Sequence, residues 1–202
     1  MVGEFVIEAE VREGTGKGVA RKLRAKGYVP AIYYKKGENI PLSVKRSTFE
    51  KIYSRAHKTK IVDLTLKKGD EEETKYALVW DIQRDPVKNK VLHVDFLGVD
   101  LEEEVYVDVP IVPVGKPKGE ERGGVLSIYR ETIPIVCLPT SIPEKIEIDV
   151  RELDINDNLQ VKDLPLPEGV RLDDVEDNYA VLGVEPPETS SEEEEGEEEE
   201  EE

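Results

Sequence analysis

The sequence of 202 residues has little cysteine, little histidine and no long apolar run, and each shortage excludes a class of protein. Cys137 is the only cysteine, so no disulfide can form within the chain. One cysteine and two histidines give no ligand spacing typical of a metal site. No stretch of about 18 apolar residues occurs, which excludes a transmembrane helix.

The N-terminal residues also lack the pattern of an export signal. Residues 1–11 alternate acidic and apolar side chains, whereas an export signal opens with basic residues and continues with an unbroken apolar stretch. We therefore expect a cytoplasmic protein without a membrane partner. Apolar residues make up 38% of the sequence and charged residues 37%, so a hydrophobic core of modest size is expected.

Positive charge is scarce overall but is concentrated in the first half of the chain. The formal net charge of −18 by itself argues against a nucleic-acid partner. Residues 1–94, however, contain 20 Lys and Arg against 13 Asp and Glu, a net charge of +7, and the remainder carries −25. Because salt screens charges beyond about 8–10 Å, the two halves are electrostatically separate. We therefore predict two domains with different partners.

The acidic excess is greatest at the C-terminus, where residues 188–202 contain 11 glutamates. Like charges at this density repel one another and leave nothing to bury, so the segment is predicted to be a disordered tail. Its simplest role is to keep the protein soluble. The alternative is a regulatory role, in which the tail competes with RNA for the basic half.

Hydrophobic periodicity predicts a mainly β protein. Seven segments have the alternation, or the short β-branched apolar run, that is typical of strands. They are residues 5–11, 74–83, 90–96, 105–114, 132–138, 145–150 and 179–184. A turn-rich connection between the second and the third predicts a hairpin. The four segments after Gly98 are separated by proline- and glycine-rich connections, which favours a second, all-β domain.

Two short helices are expected among the strands of the first half. The first, residues 18–26, ends before Gly27, a residue suited to the left-handed conformation that follows many helices. The second, residues 47–55, begins with Ser47 and Glu50 at the spacing of a capping box. The first half is therefore expected to combine strands with two helices.

Residues 12–26 carry the most informative pattern. Gly14, Gly16 and Gly18 let the backbone approach a phosphate closely, and the helix that follows begins at the end of its dipole that attracts anions. The basic residues of the loop and helix form a broad positive arc suited to an RNA backbone. They are Arg12, Lys17, Arg21, Lys22, Arg24 and Lys26.

Two other interpretations of this loop remain open. The alternating glycines are neither the pattern of a dinucleotide-binding fold nor a P-loop, which ends in Lys-Ser or Lys-Thr, so a nucleotide site is disfavoured. A solvated turn before an ordinary basic helix would give the same local sequence.

Residues 80–96 supply a second set of side chains suited to RNA. Gln83 can donate and accept hydrogen bonds at a base edge, and Asp95 can accept them from exocyclic amines. His93, together with Tyr34 from an earlier segment, can stack on bases or hydrogen-bond to a 2′-hydroxyl. The basic residues of the segment would position phosphates. They are Arg84, Lys88 and Lys90.

An enzymatic interpretation of His93 and Asp95, as a base oriented by a carboxylate, lacks a nucleophile. No glycine-elbow serine accompanies the pair, and Cys137 lies in an apolar run that predicts a core position. We therefore expect no enzyme, no cofactor and no small-molecule substrate.

Six segments resemble a known family. In the first half they are REGTGKGVARKLR at 12–24, VPAIYY at 29–34 and QRDPVKNKVLHVDF at 83–96. In the second half they are GKPKGEERGGVL at 115–126, LPTSIPEKIEIDV at 138–150 and LPLPEGV at 164–170. With these motifs in order, residues 4–187 resemble the bacterial ribosomal proteins of the general stress protein Ctc family, which bind 5S ribosomal RNA.

The resemblance implies an N-terminal β-barrel with short helices that binds the loop E region of 5S RNA in the central protuberance of the large subunit. A second β domain is carried only by the longer members. The residues expected at the RNA backbone are Arg12, Lys17, Arg21 and Lys22. Those expected on the minor-groove side are Tyr34, Gln83, His93 and Asp95. One departure is Lys35, where the family usually has glycine, which leaves the tightness of this turn open and adds a positive charge.

Together these observations predict an RNA-binding domain at residues 1–97, a β domain at 98–187 and the tail at 188–202. We expect a structural constituent of the large ribosomal subunit, whose partners are 5S RNA and neighbouring large-subunit proteins. The alternative, from another functional class, is a stress-induced adaptor that binds proteins through the acidic β domain and the tail.

Overall fold

The computed structural model describes residues 4–69, 71–172 and 179–187. The strands are β1 Val6–Val11, β2 Tyr28–Lys35, β3 Glu38–Lys45, β4 Val62–Lys68, β5 Glu71–Arg84, β6 Val91–Gly98, β7 Val105–Val114, β8 Val125–Ile128, β9 Thr132–Cys137, β10 Ile146–Asp149, β11 Asn158–Gln160, β12 Val170–Leu172 and β13 Ala180–Glu185. The helices are α1 Lys17–Ala25, α2 Arg46–Ala56 and α3 Lys118–Glu121, with 3-10 turns at Pro139–Ser141 and Val161–Asp163. The predicted disordered tail lies outside the described residues.

Six strands of the first half close into a barrel in the order β1-β3-β2-β6-β5-β4. Two neighbouring pairs, β1 with β4 and β2 with β6, are parallel, and the other four pairs of the barrel are antiparallel. Side chains alternate as the sequence predicts, because successive residues of a strand point to opposite faces. In β1, Ile7 and Ala9 are buried and Glu8 and Glu10 are exposed. The predicted β-barrel and the hairpin of β5 and β6 are confirmed.

Large aromatic residues fill the interior of the barrel. Tyr33, Phe49 and Phe96 are among the largest fully buried side chains of the chain. Phe49 comes from α2 and meets Phe96 of β6 edge-on, with 6.2 Å between the ring centroids. This contact fixes α2 against the barrel, because edge-to-face aromatic pairs add directional attraction to the hydrophobic effect.

The second half is also built from strands. One sheet has the order β10-β7-β9-β12 and the other has the order β11-β13-β8. Their inner side chains are mostly isoleucine, valine and leucine, and Cys137 of β9 is 1% exposed among them. Burial raises the pKa of the Cys137 thiol, as expected for a core residue and not for a nucleophile. The prediction of a second β domain is confirmed.

Two compact units divide the described residues. The first contains residues 4–109, 134–144 and 167–172, and the second contains 110–133, 145–166 and 179–187. The barrel lies entirely in the first unit. The predicted domain boundary between residues 97 and 98 stays a prediction.

The predicted C-terminal end of α1 agrees with the structure, whereas the predicted N-terminal cap of α2 does not. Gly27 has a φ of 85°, the left-handed conformation predicted for the residue that ends the first helix. The predicted capping box of α2 is wrong, because Lys45 is the N-cap and no side chain caps the helix. The helix begins one residue earlier than expected, so Ser47 lies within its first turn instead of preceding it.

Gly98 allows β6 to pass close to Tyr33. A Cβ at this position would lie 2.5 Å from Cζ of Tyr33, which is only 1% exposed. We expect Gly98→Ala to lower the free energy of unfolding by about 1–3 kcal/mol through overpacking, measured by urea denaturation. In the control Gly18→Ala the new methyl meets nothing within 4 Å, and better helix propensity should add up to about 1 kcal/mol. Equal losses in both variants would contradict this explanation.

Candidate nucleic-acid interface

The glycine loop and α1 present three exposed basic side chains. The helix begins after Gly16, whose φ of 95° lies in the region that favours glycine. Lys17, Arg21 and Lys22 follow in the first two turns and are exposed. Among the described residues none of the three has an ion-pair partner, so their charges are available to an anionic ligand.

Two of the predicted RNA-binding arginines turn towards the barrel instead. Nη2 of Arg12 donates to the carbonyl of Ala31 at 3.1 Å, and Nε of Arg24 donates to the carbonyl of Leu92 at 3.0 Å. Burial lowers the pKa of the Arg12 guanidinium. The Arg24 bond ties α1 to β6, so the basic helix lies next to the predicted base-reading strand. Any contact of these two arginines with RNA has to use their remaining N–H groups.

The four residues predicted for the minor-groove side come together on the outer face of three adjacent strands. Gln83 of β5 is the cross-strand partner of His93 of β6. Asp95, two residues further along the same strand, faces outward with His93, and Tyr34 of β2 lies beside Leu97. This outer face of β2, β6 and β5 is called the barrel face below.

Two side chains of the barrel face, His93 and Asp95, lie in contact. Nδ1 of His93 lies 2.7 Å from Oδ1 of Asp95, and both side chains are half-buried. The imidazole and the carboxylate therefore form one polar patch, although Oδ1 of Asp95 accepts no hydrogen bond within the described residues. Burial, and then the nearby Asp95 and Asp81 carboxylates, raise the pKa of the Tyr34 hydroxyl. Tyr34 therefore stays a neutral hydrogen-bond donor at physiological pH.

The turn between β5 and β6 places the remaining two predicted residues at the edge of this face. Lys88 is exposed in the turn, and the guanidinium of Arg84 lies over the Tyr53 ring, 5.9 Å from its centroid. Oδ1 of Asp85 accepts hydrogen bonds from the N–H groups of Lys88 and Val87, which lower its pKa. The ionised Asp85 carboxylate therefore stabilises the turn fully at any pH above its ordinary pKa. This stabilisation is lost as the pH falls through the lowered pKa that Asp85 has in the folded protein.

Lys35, which stands where the family usually has glycine, is compatible with a tight turn between β2 and β3. Lys35 and Glu38 are paired, so Lys36 and Gly37 form a two-residue hairpin loop in which Gly37 has a φ of 80°. The extra positive charge forms an ion pair with Asp100, and this hydrogen bond is the main cause that raises the pKa of Lys35. Lys35 is therefore already neutralised within the protein.

Sequence reasoning missed two residues of the barrel face. Ile32 of β2 and Asp81 of β5 are both direct partners of Asp95, and both are exposed. The alternation of β2, in which Ala31 and Tyr33 are buried, was a signal for Ile32. No local signal identified Asp81, because its pairing with Asp95 on the barrel face depends on a register shift in β5 after Val79.

Other kinds of site have no support in the described part of the chain. No group of three or more His, Cys, Asp or Glu residues there is arranged to hold a metal ion. None of its helices is both long and apolar enough to cross a membrane.

Comparison with known proteins agrees with the geometry of the barrel. Residues 7–96 match the sequence model of the Ribosomal L25p family. Residues 104–188 match that of the C-terminal domain of ribosomal protein TL5. A large ribosomal subunit protein bL25 from Solidesulfovibrio magneticus is 45% identical over 179 residues, which are 88% of this chain and 91% of the relative. The chain belongs to the ribosomal L25p family.

Further members of the L25p family show similar coverage. The bL25 protein of Desulfovibrio desulfuricans is 39% identical over 90% of this chain and 91% of its own length. That of Halothermothrix orenii is 41% identical over 91% of this chain and 84% of its own length. Membership of the L25p family confirms the predicted family, a structural role in the ribosome instead of an enzymatic one, and a cytoplasmic location on ribosomes.

Proposed function

We propose that this protein binds 5S ribosomal RNA, at its loop E region, as a structural constituent of the central protuberance of the large subunit. The observation that carries the proposal is the barrel face, which assembles four side chains suited to base edges and 2′-hydroxyls next to α1. Neighbouring large-subunit proteins are the further proposed partners. The bL25 relatives support this assignment by name as large ribosomal subunit proteins.

Two kinds of contact share the work of recognition. The exposed basic side chains of α1 are proposed to contact RNA phosphates, which positions the protein without recognising the nucleotide sequence. The polar side chains of the barrel face are proposed to lie along the wide minor groove of an RNA helix, where bases and 2′-hydroxyls are accessible. The bond from Arg24 to the carbonyl of Leu92 holds these two surfaces at a fixed spacing.

The proposed RNA-binding domain is the segment 1–97. The strands of the barrel all lie between Val6 and Gly98, so this segment contains nearly the whole barrel. The acidic remainder is proposed to stay away from the RNA, because 22 Asp and Glu between residues 95 and 187 face only 8 Lys and Arg.

Two substitutions in the full chain separate the two kinds of contact. Arg21→Ala should lower the slope of log affinity against log salt by about one, because one phosphate contact is lost. Gln83→Ala should leave this slope unchanged and weaken binding by about 1–3 kcal/mol, because a base-edge contact is lost. Both are measured by filter binding of 5S RNA at several salt concentrations. Lys162→Ala, an exposed charge outside the barrel, is the control for Arg21. An unchanged slope with Arg21→Ala would remove this residue from the interface.

A further inference from the structure

The only tryptophan of the sequence lies where the barrel ladder is interrupted. Val79 pairs with Phe96 and Asp81 pairs with Asp95, so Trp80 is the extra residue of a β-bulge in β5. Its side chain is 43% exposed. Bulges often redirect a side chain at a functional surface. Neither the core nor the proposed RNA contacts account for an indole in this position.

Trp80 forms the wall between two grooves, both lined only by residues of the first compact unit. One groove, of about 360 Å³, is lined by Trp80, Tyr34 and Tyr106 among others. The other, of about 210 Å³, is lined by Trp80, Lys58 and Asp108 among others. Tyr106 and Asp108 alternate with buried valines on β7, so both project from its exposed side. Tyr106 is 58% exposed. Two accessible aromatic rings and a carboxylate thus line adjoining grooves, and we call the two grooves together the Trp80 groove.

The Trp80 groove has an excess of negative charge. Four carboxylates of the lining are in ion pairs with basic side chains. These pairs are Lys35 with Asp100, Lys36 with Glu103, Lys58 with Asp81 and Arg171 with Glu104. Asp108 also lines the groove, is exposed and forms no ion pair within the described residues. An RNA phosphate would be repelled here, whereas a cation would be attracted both by the Asp108 carboxylate and by the faces of the rings.

We propose that the Trp80 groove binds arginine or lysine side chains of a basic protein segment. In one groove a cation of the segment stacks on the indole of Trp80 or the ring of Tyr106, and in the other the Asp108 carboxylate accepts hydrogen bonds from a second cation. A groove of this size admits single side chains but not a nucleic-acid helix. The proposed partner is a protein, and the groove borders the barrel face, because Tyr34 lines both.

Because Trp80 is the only tryptophan, its fluorescence reports on this groove directly. The full chain is titrated with an acetylated, amidated octapeptide of alternating arginine and glycine, and with the same peptide carrying glutamine for arginine. The arginine peptide should change the Trp80 emission saturably, and the glutamine peptide should not.

Variants locate the binding. Tyr106→Ala and Asp108→Asn should each weaken binding of the arginine peptide by about two- to fivefold, the range for an exposed cation–π or ion contact. Tyr129→Ala, which removes a tyrosine of similar exposure from the second unit, should have no effect. Far-UV circular dichroism verifies that the variants are folded.

Several outcomes would overturn the proposal. They are an emission change of equal size with both peptides, no change with either, and equal weakening by Tyr106→Ala and Tyr129→Ala. A further one concerns the RNA. If 5S RNA shifts the Trp80 emission and Tyr106→Ala lowers RNA affinity, the groove belongs to the RNA interface and not to a protein partner. RNA binding that leaves Trp80 unaffected keeps the two sites distinct.

Discussion

Replacing Phe96 with alanine is expected to lower the free energy of unfolding by about 3–5 kcal/mol. Phe96 is fully buried, and its ring meets that of Phe49, so the substitution removes the contact that joins α2 to β6 and leaves a cavity. Because domains of this size are stabilised by only about 5–15 kcal/mol, the barrel would become marginal. Urea denaturation followed by circular dichroism and by Trp80 fluorescence measures the change.

The control for this prediction is Val87→Ala in the turn that connects β5 and β6. Val87 is 89% exposed, so losing its two methyl groups should change stability by no more than about 0.5 kcal/mol. A loss below about 1 kcal/mol for Phe96→Ala would show that the aromatic contact is not a main support of the barrel.

Replacing Lys17, Arg21 and Lys22 together with glutamine is expected to weaken 5S RNA binding by about 100-fold at 0.1 M salt. Each lost phosphate contact should also lower the slope of log affinity against log salt by about 0.7–0.9. Glutamine keeps helix propensity close to that of lysine and arginine, so α1 should persist. No ion pair within the described residues is broken by the change. Filter binding with 5S RNA across a salt series measures both quantities.

A control triple variant loses the same three positive charges, but from the second compact unit instead of α1. Lys116, Arg130 and Lys162 are exposed and lie in the second compact unit. Their replacement by glutamine should alter affinity by less than about threefold, since none of the three is a proposed RNA contact and salt screens the effect of net charge. Similar losses in the two triple variants would mean that overall charge, and not α1, governs binding.

Local patterns were sufficient for much of the fold. Alternating side chains located β1 and the hairpin of β5 and β6, and Gly27 marked the end of α1. Strands β2 and β3 were missed as elements, because their apolar and polar residues alternate less regularly and Pro30 and Pro41 interrupt them. Strand β4 was also missed, although its residues Val62, Leu64 and Leu66 alternate regularly with polar ones. The capping box at Ser47 had the right spacing, but the helix begins one residue earlier, at Arg46.

The sequence alone determined the β class, the helix that follows the glycine loop, the polar residue types suited to RNA and the family resemblance. These features depend on neighbours along the chain, whose periodicity and turn preferences are readable without coordinates. Only the tertiary structure decided which side chains share a surface. It brought Tyr34 beside residues of β6 about 60 positions later, turned Arg12 and Arg24 towards barrel carbonyls, and paired Lys35 with Asp100. Strand register and barrel closure arise from packing between distant segments, so no local pattern encodes them.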